Sequence, residues 1–277
     1  MTGNTNRAVL ITGASGGIGF ATSRALIERG FRVFGSHLPS EDAAPLSAIG
    51  VTPVALDVTD VASVDAARDQ VARALGDAPL VGLVNNAGIA DGGPIEMADL
   101  ESVRRMLDVN VFGLFAVTKA FLPALRAAKG RVVNVSSVSG RFAAPYLGAY
   151  CACKFAVEAF SDSLRREMLP FGVDVIVIRP AITRTPIWDR AADLDMERFR
   201  GTAYEDAVVK VQRRMLKSRR KGLDPSRVAD AIVGALTETR PRTRIAVLRK
   251  GKWRKYLLSI WLPDRIVDRF VAQTLSD

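Results

Sequence analysis

Seven short apolar runs constrain this chain more than any other feature: AVLITG (8–13), FRVFGS (31–36), VTPVALDV (51–58), LVGLVNNAG (80–88), RVVNVSS (131–137), VDVIVIRP (173–180) and TRIAVL (243–248). Most lack the apolar–polar alternation of a strand with one wet face, so both of their faces must be covered. Segments with helical periodicity separate them, over about 17–29, 61–75, 98–128, 149–169 and 225–238. Strands alternating with helices build right-handed βαβ units, and the expected fold is a doubly wound parallel α/β sheet. Ligands of such sheets bind beyond the carboxyl ends of the strands.

A chain of 277 residues with 48% hydrophobic content buries a full core as one domain, here 1–250. Disorder is expected only at the start, MTGNTN. Between the sixth strand and the last long helix lies an irregular stretch, 181–222, in which Tyr204, Val208, Val211 and Met215 recur at helical spacing with Arg213, Arg214 and Lys217 outside. Long insertions in compact domains are usually functional, so this stretch reads as a lid over an apolar substrate. No stretch reads as a signal peptide or as a spanning run of about eighteen apolar residues, which points to the cytoplasm.

The net charge is +10, with basic residues crowded into 208–223 and 240–277. Nothing resembles a groove-entering module or a base-stacking platform, so nucleic acid is not an expected partner. The one histidine, His37, excludes a multi-histidine zinc site. Cys151 and Cys153, two apart on one helix, point away from each other and read as small core residues.

The polar residues that stand out fall at strand ends or on the helices that follow. TGASGGIG (12–19) joins the first strand to the first helix. Its glycines let backbone approach a pyrophosphate, and the helix start offers free N–H groups. Asp57 ends the third strand, where a carboxylate can accept from an adenine amino group, and NNAG (85–88) ends the fourth. Ser137 ends the fifth, and Asn110 sits inside an otherwise apolar helix, where an amide needs a partner. Tyr150 and Lys154 are four apart on a helix, so their side chains share one space.

In order and in spacing, Thr12–Gly19, Asn85–Gly88, Asn110, Ser137 and Tyr150 with Lys154 resemble the motifs of the short-chain dehydrogenase/reductases over nearly the full chain. KFAVEAFSDSLRREMLPFGV and TRTPIW resemble the branch containing retinol and 17β-hydroxysteroid dehydrogenases. The resemblance implies a Rossmann-type fold and NAD(P)-dependent interconversion of an alcohol and its ketone or aldehyde. It implies that Tyr150 exchanges a proton with the substrate oxygen and that Ser137 polarises that oxygen. Lys154 would hold the nicotinamide ribose and, together with the oxidised coenzyme, lower the phenol pKa, while Asn110 would position a water for a proton relay. Coenzyme contact is implied for Gly13, Ser15, Gly17, Ile18, Gly19, His37, Asp57, Val58, Asn86, Ala87, Gly88, Tyr150, Lys154 and Thr185. Family members pair through the helix from 110 to 128 and the one bearing Tyr150, so a homodimer or homotetramer is expected.

Two positions depart from the pattern. Pro180-Ala181 stands where Pro-Gly is common, and the second strand ends without the acid of NAD users at His37 or the arginine of many NADP users at Leu38. Absence of the acid removes repulsion of a 2′-phosphate, which Ser36 and His37 could bind, so NADP(H) is favoured over NAD(H). An apolar substrate, a steroid, retinoid or long-chain alcohol, suits the lid better than a small polar carbonyl compound. A non-catalytic dinucleotide sensor would not need Ser137, Tyr150, Lys154 and Asn110. The tail, 251–277, mixes Trp253, Tyr256 and Trp261 with Lys252, Arg254 and Lys255. It fits either a peripheral membrane contact or packing against a sister subunit or the substrate mouth.

Overall fold

The computed structural model describes residues 7–188 and 196–276; the segment expected to be disordered, 1–6, and part of the lid, 189–195, lie outside the described residues. Strands β1 (Ala8–Ile11), β2 (Arg32–His37), β3 (Thr52–Ala55), β4 (Leu80–Asn85), β5 (Arg131–Val135), β6 (Asp174–Pro180) and β7 (Arg244–Val247) form one parallel sheet in the order β3-β2-β1-β4-β5-β6-β7. The helices are α1 (Gly17–Ile27), α2 (Ala44–Ala48), α3 (Val61–Leu75), α4 (Leu100–Leu107), α5 (Leu114–Ala128), α6 (Gly148–Met168), α7 (Glu205–Arg220), α8 (Pro225–Thr237), α9 (Trp253–Trp261) and α10 (Asp264–Ser276). The strand order reverses between β1 and β4, which opens a crevice above their carboxyl ends.

The absence of alternation in the strands has a direct structural cause. Ala8 and Leu10 pack with Val71, Val117, Phe121 and Leu164 from α3, α5 and α6 on one face. Val9 and Ile11 pack with Leu26, Leu46 and Ile232 from α1, α2 and α8 on the other. Both sides of β1 are therefore dry, and each buried Leu or Ile contributes about 1.5–3 kcal/mol.

The long helix expected over 98–128 is interrupted: Asp108–Gly113 form a π-helical turn between α4 and α5. By length and composition the run Leu100–Ala128, which contains an 18-residue window of mean hydropathy 1.4, meets the requirement for a membrane span, contrary to the expectation that no stretch does. Its Val117, Phe121 and Leu125 are fully or almost fully buried on the sheet, as in the core helix of a globular domain. β3 also ends earlier than expected, at Ala55, because Asp57 folds into a turn in which its Oδ1 accepts from Thr59 N (2.9 Å) and Thr59 Oγ1 (2.7 Å).

Candidate active site

The turn between β1 and α1 is built to be filled by something other than side chains. Gly13 and Gly17 have φ of 62° and 53°, in the left-handed region that glycine adopts without strain. A Cβ on Gly17 would stand 2.9 Å from Thr185 Cγ2, and one on Gly19 would stand 2.2 Å from the Gly13 carbonyl. Helices α3, α4 and α8 are capped by the side chains of Asp60, Asp99 and Asp224, whereas the N-cap of α1, Gly16, provides no side-chain acceptor. Its first N–H groups face the crevice mouth with partial positive charge, an arrangement suited to a pyrophosphate. Ser15 is exposed on this turn and Ile18 is half-buried against the α1 side of the core.

Thr12 ties this turn to the end of β4. Its hydroxyl accepts from the N–H of Asn86 (3.0 Å) and Ala87 (3.0 Å), and Asn86 Nδ2 donates to the carbonyls of Thr12 (3.0 Å) and Gly13 (2.9 Å). Ala87 lies so close that a Cβ on Gly13 would meet its Cα at 2.9 Å. Gly13, Gly17, Gly19, Asn86, Ala87 and Thr185 thus line one cradle. Gly88 continues it toward Asn110 and Lys154: a Cβ there would sit 2.7 Å from Asn110 Oδ1 and 3.8 Å from Lys154 Nζ.

At the neighbouring edge, Val58 is buried against Gly113, while Asp57 is half-buried with Oδ1 engaged by Thr59. At the end of β2 the structure corrects one expectation. The Ser36 hydroxyl accepts from Gly13 N–H (3.0 Å) and is only 2% exposed, so it organises the glycine turn and does not reach a 2′-phosphate. His37 is half-buried, with Nδ1 2.9 Å from the Leu38 carbonyl, and Glu41 Oε2 accepts from Leu38 N–H (3.0 Å).

Ser137, Tyr150, Lys154 and Asn110 converge from β5, α6 and the π turn, and all four are buried. The Ser137 hydroxyl hydrogen-bonds toward the Tyr150 phenol and also accepts from Ser139 N–H (3.0 Å). Lys154 Nζ donates to the Val135 carbonyl (3.1 Å) and lies 5.7 Å from the centre of the Tyr150 ring. Burial pushes the Tyr150 phenol up to about 12 despite the opposing hydrogen bond from Ser137, and it pushes the Lys154 ammonium down to about 8. The ammonium therefore does not by itself bring the phenol into the neutral range: both groups are desolvated, and desolvation prevails.

Asn110 shows what the π turn is for. Its Oδ1 accepts from Ile89 N–H (3.0 Å), its Nδ2 donates to the Ile89 carbonyl (2.9 Å), and its amide also hydrogen-bonds to Cys153. Its side chain shapes the loop after β4. Turns of this kind recur at functional positions because they re-aim backbone without ending a helix.

Several residues that support the site went unread in the sequence, and Asn85 was read only as part of NNAG. Asn85 and Asn134 are paired in register on β4 and β5; Asn85 Nδ2 donates to Asn134 Oδ1 (2.8 Å) and Thr118 Oγ1 (2.9 Å), and Asn134 Nδ2 donates to Ser161 (2.9 Å). This buried polar chain locks α5 and α6 to the sheet beneath Tyr150. Two amides at equivalent places in otherwise apolar strands were the available signal. Glu158, one turn beyond Lys154, takes both oxygens to Arg179 at 2.8 and 2.7 Å and fixes α6 to β6.

The space around the phenol is apolar. Tyr150 clusters with Ala90, Met106 and Cys153, and around these pack Ile89, Leu107, Val111, Leu147, Ile182, Ile187 and Met215, the last from α7. A family model described as short chain dehydrogenase matches residues 7–194. The chain is 38% identical to retinol dehydrogenase 5 of Mus musculus, over 96% of this chain and 88% of that one. It is 34% identical to the mitochondrial D-beta-hydroxybutyrate dehydrogenase of Bos taurus, over 95% and 83%. Its fold superposes on a short-chain dehydrogenase of Streptomyces avermitilis with a TM-score of 0.76, at 28% identity, covering 98% of this chain and 96% of that one. With its glycine cradle at the β1–β4 switch point and a Ser-Tyr-Lys cluster beside it, the chain belongs to the short-chain dehydrogenase family of NAD(P)-dependent oxidoreductases.

Proposed function

We propose that the protein interconverts an alcohol and its ketone or aldehyde on a bulky apolar substrate such as a steroid, a retinoid or a long-chain alcohol. The observation that carries this reading is the apolar cluster on Tyr150, to which the lid contributes Ile182, Ile187 and Met215. A substrate whose reacting carbon reaches the phenol must displace or lie along these side chains, and burial of apolar surface rewards a long alkyl or ring system. Similarity to a retinol dehydrogenase supports the same reading; similarity to a D-beta-hydroxybutyrate dehydrogenase is the argument for the rival, a small polar substrate.

When bound, the coenzyme supplies or accepts the hydride. Gly13, Ser15, Gly17, Ile18 and Gly19 hold its pyrophosphate side, Asp57 and Val58 its adenine, and Asn86, Ala87, Gly88 and Thr185 the region leading to the reacting ring. Lys154 anchors the ribose next to Tyr150. Tyr150 passes its proton to the substrate oxygen on reduction and receives it back on oxidation, while Ser137 donates a hydrogen bond to that oxygen. Asn110 positions a water for the proton relay.

On the coenzyme, the reading is NADP(H). It rests on His37 standing where NAD users carry an acid, now without help from Ser36, and the carboxylates of Glu41 and Asp42 in the loop that follows oppose it. Apolar and short-chain alcohols and ketones, assayed at about 340 nm with each coenzyme, test both parts. Higher kcat/KM is expected for the apolar compounds and for NADPH. Faster turnover of short hydroxy acids overturns the substrate reading, and an approximately tenfold preference for NADH overturns the coenzyme reading.

A homo-oligomer is proposed through the outer face of the π turn, α5 and α6, where Phe112, Phe115 and Phe155 are 65%, 53% and 43% exposed. Large apolar side chains clustered in this way mark an interface. Phe115→Asp is expected to halve the mass measured by light scattering, and an unchanged mass would remove this face from the assembly.

A further inference from the structure

The tail folds into two helices whose outward faces remain apolar. In α9, Tyr256 is buried beside the Arg179 guanidinium, without closing a well-formed hydrogen bond to it, and this fixes which way the helix faces. Trp253 packs its ring beside that of Tyr256, with centroids 5.9 Å apart, yet stays 51% exposed; facing away from Tyr256, Leu258 and Trp261 are 53% and 79% exposed, and Ile266 adds an exposed apolar side chain in α10. Immediately before and within the first turn of α9 the chain reads RKGKWRK, so that Arg249, Lys250, Lys252, Arg254 and Lys255, all exposed, surround Trp253. From Thr239 to Pro263 there is no acidic residue.

We propose that this face, the Arg249–Lys255 run together with the outer side of α9, docks on an anionic lipid bilayer, with Trp253, Leu258 and Trp261 entering the headgroup region. Basic residues flanking exposed Trp and Leu supply both of the terms that hold a helix at such an interface: attraction to anionic headgroups and burial of apolar surface. A second copy of the chain is a poorer occupant, because a two-fold contact through this patch would set the five cations against their own equivalents.

The docking face is continuous with the substrate side of the enzyme. α10 packs against α7, and α7 sends Met215 into the apolar cluster on Tyr150. Docking therefore holds the lid helix against the surface from which an apolar substrate would arrive. This consequence rests on the substrate reading above; the docking itself does not.

The test is co-sedimentation of the full-length protein with vesicles of phosphatidylcholine alone or containing about 30 mol % phosphatidylserine. Wild type is expected to pellet with the anionic vesicles and to be released by high salt. Lys250→Glu with Lys252→Glu, and separately Trp253→Ser with Trp261→Ser, should each weaken binding about tenfold or more. Turnover of a water-soluble substrate without vesicles should be unchanged in both variants. Recovery of wild type in the supernatant with both vesicle types overturns the proposal, as does undiminished binding by both double variants. So does a self-association in light scattering that Trp261→Ser dissolves while vesicle binding is absent. Retained binding by an enzyme that turns over only small polar substrates would leave the docking intact and reject the delivery role alone.

Discussion

Tyr150→Phe is expected to lower kcat by about a thousandfold or more while leaving coenzyme affinity, measured by nicotinamide fluorescence, unchanged. The substitution removes one oxygen from a ring that is 4% exposed and packed among Ala90, Met106 and Cys153, so the shape of the site is conserved. Ser137 loses one partner but keeps its bond from Ser139 N–H, which limits the cost in stability to about 1 kcal/mol. Any large loss of turnover then reports the missing proton. The direction of the reaction adds a second signature. A phenol pushed up to about 12 is protonated at neutral pH and ready to donate, so its own titration adds no pH dependence to reduction between about 7 and 9. Oxidation needs the phenolate and should accelerate as pH rises across the same interval. A Phe variant that retains turnover within about tenfold of wild type, or a wild type whose oxidation rate falls with increasing pH, would remove Tyr150 from the proton transfer.

The sheet and the pairing of Tyr150 with Lys154 on one helix face were legible in the sequence for the same physical reason: both depend on local patterns. Runs such as AVLI and VIVI announce strands covered on two faces, and Tyr150 with Lys154 share a helix face by spacing alone. What was missed depends on contacts between residues distant in sequence. The break between α4 and α5 follows from Gly113 lying under Val58, where a Cβ would meet Val58 Cγ2 at 2.6 Å, and from Asn110 bonding both backbone groups of Ile89. Helical periodicity continues through 98–128 and carries no trace of either contact. Ser36 looked available to a phosphate because only the fold turns its hydroxyl onto Gly13 N–H. Basic and aromatic composition singled out the tail, but its division into α9 and α10 and the burial of Tyr256 beside Arg179 are tertiary facts. The electrostatics show the same limit. Spacing brings a cation near the phenol, yet the distance of 5.7 Å and the dryness of the pocket decide which way each group shifts.

That dryness has a measurable consequence at Lys154. Lys154→Met is expected to abolish turnover and at the same time to stabilise the coenzyme-free protein at pH 7. The ammonium is 5% exposed, and burial is the main cause of its shift from the ordinary 10.5 down to about 8. A lysine whose folded pKa lies below its unfolded one destabilises the fold by the full amount at any pH under the folded value. As pH rises from about 8 to about 10.5 the unfolded chain holds more protons than the folded one, stability increases, and the penalty is gone above that window. The shift corresponds to a penalty on the order of 3 kcal/mol. Methionine fills similar space without a charge but leaves the Val135 carbonyl without its donor, at a cost of about 1 kcal/mol. The variant should therefore exceed wild type by about 2 kcal/mol in urea unfolding at pH 7, and the advantage should disappear by about pH 10.5. The phenol of Tyr150 and the thiols of Cys151 and Cys153, all pushed up by burial, titrate in both proteins and largely cancel in the difference. A variant less stable than wild type at pH 7, with the difference independent of pH, would mean that the ammonium is not destabilised by its pocket. The position would then be a packing site with an ordinary lysine, and the placing of a strained cation beside the phenol, common where function is kept at the expense of stability, would have no support.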